Sequence, residues 1–309
     1  MAAGEEEMTG GRRAGSRRKG RGARCWLAVC LGVLALAGST VPAQQREVPR
    51  RIVSIVPALT EMLFAIGAGP QVVGVSSFAR FPAAVEGLPR VGALLDPDME
   101  RVFSLRPDLV LLYGSQRDQR AQIARAGIPV FSYRHGGLDD VTATVRELGR
   151  RTGHAAEAGV VAEEIEREVA AIRARVAGRT PARALVVIGR EPGIIRNVYA
   201  SGGIGFIHDM LEAAGGENVF ADVAREAAQP TSEAILAAAP DVIIELRAEG
   251  ILTPEEIERE TKVWRRLSTV PAVRQARVHF LIGTELVVPG PRVAEATRRL
   301  AELLHPDAF

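Results

Sequence analysis

One local pattern is written twice in this chain, and it restricts the fold more than any other feature. "LRPDLVLL" (105–112) joins the end of a helix-like segment to an apolar run through Pro107-Asp108, and "AAPDVIIE" (238–245) does the same through Pro240-Asp241. A glutamate, Glu100 or Glu233, stands seven residues before each proline, so both members of the pattern are offset by 133. Proline discourages helix at the residue before it, and aspartate suits the turn that follows. Each copy therefore predicts a helix, an abrupt stop and a strand. A second set of pairs, Met62 and Met210, Leu63 and Leu211, Gly67 and Gly215, is offset by 148. The change of offset places an insertion near "REPGIIRNVYASGG" (190–203). Two similar units explain this repetition better than chance does.

Each half alternates strand-like and helix-like segments. The first runs "RIVSIVP" (51–57), "ALTEMLFAIGAG" (58–69), "VVGV" (72–75), "PDMERVFSL" (97–105), "DLVLL" (108–112), "QRDQRAQIARAG" (116–127) and "IPVFSY" (128–133). Asp96 or Asp98 is placed to cap the helix at 97–105. In the second half "RALVVIG" (183–189), "FIHDMLEAAGG" (206–216) and "PTSEAILAAAPDVII" (230–244) repeat the programme. Strands alternating with helices of this length predict two Rossmann-like α/β lobes, residues 50–137 and 179–309. The stretch 138–178 between them has no strand candidate. It reads as a shorter helix, "LDDVTATVRELGRRTG" (138–153), and one long helix, "AGVVAEEIEREVAAIRARVAG" (158–178). In the latter, Val161, Ile165, Val169, Ile172 and Val176 keep helical spacing. A helical connector is semi-rigid. It predicts a nearly fixed separation, a ligand cleft between the lobes at their strands' carboxyl ends, and small hinge motion on binding.

The nominal charge of +2 misleads because of the N-terminus. A basic, glycine-rich block (12–24), the apolar run "CWLAVCLGVLALAG" (25–38) and small residues before Ala43 form the pattern of a secretory signal, expected to be cut after Ala43. An uncleaved anchor is the alternative, and Met8 is an alternative start. The first 43 residues carry seven basic and three acidic side chains, so the remainder has a net charge of −2 and offers no basic field for nucleic acid. Cys25 and Cys30 both lie in this segment. Neither suits lipid attachment, with Arg24 and Val29 before them, and a periplasmic location is expected.

Signatures of catalysis are missing. No G-x-S-x-G or G-x-x-x-x-G-K-[ST] occurs, and "YASGG" (199–203) lacks the leading glycine of a nucleophile elbow. "GAGPQV" (67–72) follows a helix-like segment and reads as its C-cap, not as a dinucleotide loop. His135, His208 and His279 have no spacing that requires a metal, and no carboxylate pair has an orienting context. Neither a catalytic nor a metal site is expected.

The order of several segments carries a resemblance. "RIVSIVPALTEMLFAIGAGPQVVGVSSFARFP" (51–82), "MERVFSLRPDLVLL" (99–112), "GIPVFSY" (127–133) and "AGGENVFADV…PTSEAILAAAPDVII" (214–244) resemble the periplasmic binding proteins of ABC importers for vitamin B12, iron-siderophores and haem. The vitamin B12-binding branch is the most similar, although "VGALLDPD" (91–98) lacks the tryptophan of that branch. The resemblance implies two α/β lobes joined by one long helix. It further implies a protein that captures a metal chelate, cobalamin or a ferric siderophore or haem, without transforming it and with no cofactor of its own. The implied partners are the permease of an ABC importer and its ATPase, met by a monomer. Glu100 and Glu233 match the acids that, in this family, meet permease arginines. An acid in a helix's first turn is stabilised by the dipole and stays free to pair.

Candidate ligand contacts lie at strand ends and the loops beyond them: Pro57, Ala58, Ser77, Phe78, Tyr113 and Gly114 in the first lobe, and Arg190, Tyr199, Ser201, Gly202 and Arg247 in the second. Aromatic faces suit a corrin, whereas Arg190 and Arg247 suit carboxylates or an anionic iron chelate. The competing expectations are a zinc or manganese receptor using His135, His208 and His279, an exported enzyme with an unrecognised site, and an anchored sensor domain.

Overall fold

β1 (Ile52–Ser54), β2 (Val72–Val75), β3 (Leu109–Tyr113) and β4 (Val130–Tyr133) form a sheet in the order β2-β1-β3-β4, every pair parallel. Parallel neighbours need crossovers. Here they hold the helices α1 (Pro57–Ala65), α2 (Met99–Ser104) and α3 (Arg117–Arg125). The structure is a computed structural model that describes residues 47–134, 136–250 and 252–309. The expected signal segment with Met8, Cys25, Cys30 and Ala43, and His135, lie outside the described residues.

After β4 the chain forms α4 (Leu138–Thr152) and α5 (Ala155–Val176). The second sheet follows: β5 (Ala182–Gly189), β6 (Tyr199–Ser201), α6 (Phe206–Ala213), β7 (Gly216–Asn218), β8 (Ala227–Ala228), α7 (Ser232–Ala238), β9 (Val242–Arg247), α8 (Pro254–Trp264), α9 (Pro271–Arg274), β10 (Val278–Ile282) and α10 (Val293–Leu304). Its order is β10-β9-β5-β6-β8, with β7 also paired to β5. The β9, β10 and β7 pairings are parallel; β6 runs antiparallel to β5, and β8 to β6. The insertion inferred from the shifted offset is the segment that carries β6.

The sequence repeat extends to individual hydrogen bonds. Asp98 caps α2 by accepting from the Arg101 amide at 2.9 Å, and Thr231 caps α7 by accepting from the Ala234 amide at 3.3 Å. Both helices end at a left-handed residue before proline, Arg106 with φ 46° and Ala239 with φ 44°. A left-handed residue at this position ends a helix. Arg51 Nε donates to the Arg106 carbonyl at 3.1 Å, as Arg183 Nη1 does to the Ala239 carbonyl at 3.3 Å. Gly67 and Gly215 likewise occupy left-handed positions just past α1 and α6, with φ 84° and 78°. Met62, Leu63, Met210 and Leu211 are fully buried.

Strand residues alternate between two apolar layers, as a sheet covered on both faces requires. Val53, Val110 and Leu112 face one outer layer, and Leu185, Val187 and Ile243 another. Ile52, Leu111, Val186 and Ile244 share a single core that runs through both halves. α5, about 33 Å long at 1.5 Å per residue, contributes Ile165, Val169, Ile172 and Val176 to that core. α4 folds back beside α5 and also packs on α1, while α5 packs on α6 and α10. The connector is therefore embedded in the core instead of bridging open space. Each buried isoleucine or valine on it stabilises by roughly 1.5–3 kcal/mol.

Candidate ligand cleft between the two sheets

Loops beyond the strands of one sheet meet loops beyond the strands of the other. At the β2 and β10 edges, Arg80 beyond β2 pairs with Glu249 beyond β9 at 3.0 Å. Deeper, Arg292 at the start of α10 forms two bonds to Glu61 on α1, at 3.0 and 2.8 Å, and a third to Glu285 at 3.0 Å. Its guanidinium lies 4.1 Å from the centroid of the Phe81 ring, and Arg299 completes the group on Glu285. Glu61 is almost fully buried. Burial pushes its carboxyl upward against the pull of Arg292.

At the opposite, β4 and β8 edges the halves leave a cavity of about 830 Å³. Tyr113 and Gly114 at the end of β3, Arg117 on α3, Arg134 beyond β4 and Asp140 on α4 line it from one side, and Glu226 before β8 from the other. Tyr113 packs edge-on against Tyr133, with ring centroids 6.0 Å apart. The Tyr133 hydroxyl is pushed upward, chiefly by burial and then by the neighbouring Tyr113, Asp140 and Glu226. A volume of this size suits an organic ligand or cofactor-sized chelate.

Of the residues expected to touch a ligand, Tyr113 and Gly114 line this cavity. Phe78 is 58% exposed beyond β2, and Tyr199 is 47% exposed beside Gly189, where β5 ends. Ser77 and Pro57 are half-buried at the ends of β2 and β1. Four candidates stand differently from expectation. Ala58 is part of the common core. Ser201 is buried, and its carbonyl and that of Gly202 accept from the Asn218 amide at 3.3 and 2.8 Å. A β-carbon on Gly202 would lie 2.1 Å from the Arg225 carbonyl oxygen, so Gly202 serves close backbone packing.

Arg190 is the clearest correction. Its side chain has no exposure; Nε donates to Glu245 at 2.9 Å and Nη2 to Glu260 at 2.8 Å. The same Glu245, 1% exposed, accepts from Trp264 Nε1 at 2.6 Å and Arg247 Nη2 at 2.8 Å. Arg190 is thus structural, because a buried carboxylate in an apolar strand needs cations and donors around it. Arg247, at the end of β9, is the partly exposed member of the cluster.

Of the three histidines in the metal alternative, only His208 and His279 lie among the described residues, on α6 and β10. His208 is buried on α6, with Nδ1 3.4 Å from the Asn218 amide and Nε2 3.4 Å from Glu212. His279 lies within β10, and burial, then Arg277, lowers its pKa. Among the described residues no group of three or more His, Cys, Asp or Glu is placed to hold a metal ion. No helix of the described residues is long and apolar enough to cross a membrane. Glu100 and Glu233 are both exposed in the first turns of α2 and α7. A hydrogen bond from its own backbone amide, then one from Thr231, lowers the Glu233 carboxyl.

Comparison with known proteins agrees with this architecture. The chain is 28% identical over 243 residues to a vitamin B12-binding protein of Yersinia pestis (strain Pestoides F), covering 78% of this chain and 82% of that one. The crystal structure of the periplasmic vitamin B12 binding protein of Vibrio cholerae superposes with a TM-score of 0.72 at 22% identity, over 84% of this chain and 98% of that one, a likeness of fold. The periplasmic haem-binding protein of Roseiflexus sp. RS-1 in its apo form gives a TM-score of 0.70 at 27% identity, over 84% and 99%. The family model described as "Periplasmic binding protein" matches residues 52–282. With its two sheets, embedded connector and cavity between the halves, this chain belongs to the periplasmic binding protein family.

Proposed function

We propose that the chain is an exported receptor that captures a metal chelate, cobalamin or a ferric siderophore or haem, and delivers it to an ABC importer without chemical change. The cavity between the two sheets is the observation that carries the reading. Its lining comes mainly from the loops after β3 and β4 and the start of α4, and Glu226 reaches it from the second half, which suits a receptor that holds its cargo at strand ends. The relatives named for vitamin B12 and haem binding supply the cargo class. In this reading a monomer docks on a permease through Glu100 and Glu233. The matched caps and left-handed stops of α2 and α7 hold these acids at equivalent places in the two halves.

Absorbance titration and calorimetry of the purified protein with cobalamin, haem and a panel of ferric siderophores test the proposal. Saturable one-to-one binding of one of them is expected. Failure to bind any of them overturns it.

A further inference from the structure

We infer that the cargo is an anionic chelate, held by a carboxylate arm at Arg117 and Arg134. The inference rests on the receptor reading and narrows it to one charge class. Both arginines line the 830 Å³ cavity, and among the described residues neither has an acidic partner. The acids of the same cavity are committed. Asp140 accepts from the Gly137 amide at 2.9 Å and so closes the start of α4, and Glu226 has an interaction of its own.

The placement of the two cations points the same way. Arg117 is the first residue of the nine-residue α3, whose preceding Gln116 provides no side-chain cap. A helix N-terminus carries partial positive charge and favours anions, so Arg117 adds to a site where Asp118 is the acid of the first turn and a further anion is still welcome. Arg134 follows β4 and lies across Gly114, where a β-carbon would come within 2.9 Å of the Arg134 Cγ. A glycine at this point of β3 leaves room for the guanidinium stem. The two arginines that the sequence put forward as ligand contacts are occupied instead: Arg190 by Glu245 and Glu260, and Arg247 by Glu245. Two uncommitted forks at one end of a cleft are suited to bidentate recognition of carboxylate.

The test compares four probes on the full chain: haemin, haemin dimethyl ester, ferric citrate and cyanocobalamin, whose peripheral arms are amides. Wild type is expected to bind haemin or ferric citrate, and haemin, if bound, more tightly than its ester. Arg117→Ala and Arg134→Ala should each weaken the carboxylate probe by about tenfold, the scale of one charge-assisted hydrogen bond, and the double variant should abolish the preference for acid over ester. Both arginines are exposed, and an unchanged melting temperature verifies that the variants fold. Equal binding of acid and ester, or tight cyanocobalamin binding indifferent to the double substitution, overturns the anionic assignment and leaves the receptor reading intact. Absence of binding to all four, together with a failed siderophore panel, overturns both.

Discussion

Arg292 and Glu61, 231 residues apart in sequence, form a two-point ion pair between the halves, Nε to Oε2 at 3.0 Å and Nη2 to Oε1 at 2.8 Å. With the Arg80–Glu249 pair at the rim, it ties the β2 and β10 edges together and leaves the β4 and β8 edges to the cavity. Removing one partner of a buried pair strands the other charge. Arg292→Ala is expected to lower unfolding stability by about 3 kcal/mol, measured by urea titration. Glu61→Gln should cost less, because burial already opposes the charge on Glu61 and the amide still accepts a hydrogen bond.

The same tie, together with a core shared across both halves, limits closure. Small-angle scattering of ligand-free and ligand-saturated protein should give superimposable profiles. A clear compaction on binding would show that the shared core yields as a wide hinge.

Glu245 is the centre of a buried group with Arg190, Arg247 and Trp264. Glu245→Ala leaves a fully buried guanidinium short of one carboxylate and an indole N–H without its acceptor. A loss of about 3–5 kcal/mol is expected, read as a fall in urea midpoint. A loss below about 1 kcal/mol, the range of a solvated pair, would contradict the desolvated arrangement.

The connector carries a pH-dependent contact. Arg146 on α4 holds Glu166 on α5 at 2.6 and 2.9 Å, and this bond, before any other cause, lowers the Glu166 carboxyl from 4.5 to about 2. A depressed carboxylate binds fewer protons folded than unfolded, so its contribution is complete above pH 4.5 and is lost as pH falls toward 2. Both side chains are partly exposed, and the effect stays below about 1 kcal/mol. The stability difference between wild type and Glu166→Gln should shrink over that window and also with added salt.

Docking through the matched acids makes a separable prediction. Glu100→Ala with Glu233→Ala should abolish stimulation of the importer's ATPase in reconstituted vesicles while leaving chelate affinity unchanged and lowering the melting temperature only slightly, as loss of two exposed first-turn acids does. Full stimulation by the double variant would remove these acids from the interface.

The repeat, the apolar periods and the Pro-Asp stops of the sequence determined two α/β units with a long helix between them, whereas the antiparallel β6 and β8 of the second sheet came only with the structure. Those sequence features are local signals, since capping, turn chemistry and strand alternation are decided within a few residues. The rule that ligands gather at strand ends led to Tyr113 and Gly114, which the structure places on the wall of the cavity. The same rule reaches Arg134, next to Tyr133 at the end of β4, and Arg117 at the start of α3. What only the tertiary structure decided is which charges are spent. Arg190 and Arg117 look alike as letters, yet one is enclosed by Glu245 and Glu260 while the other faces a cavity. Those carboxylates lie 55 and 70 residues from Arg190, and Glu61 lies 231 from Arg292. Partners at such distances are chosen by packing of whole elements, which no local sequence signal encodes.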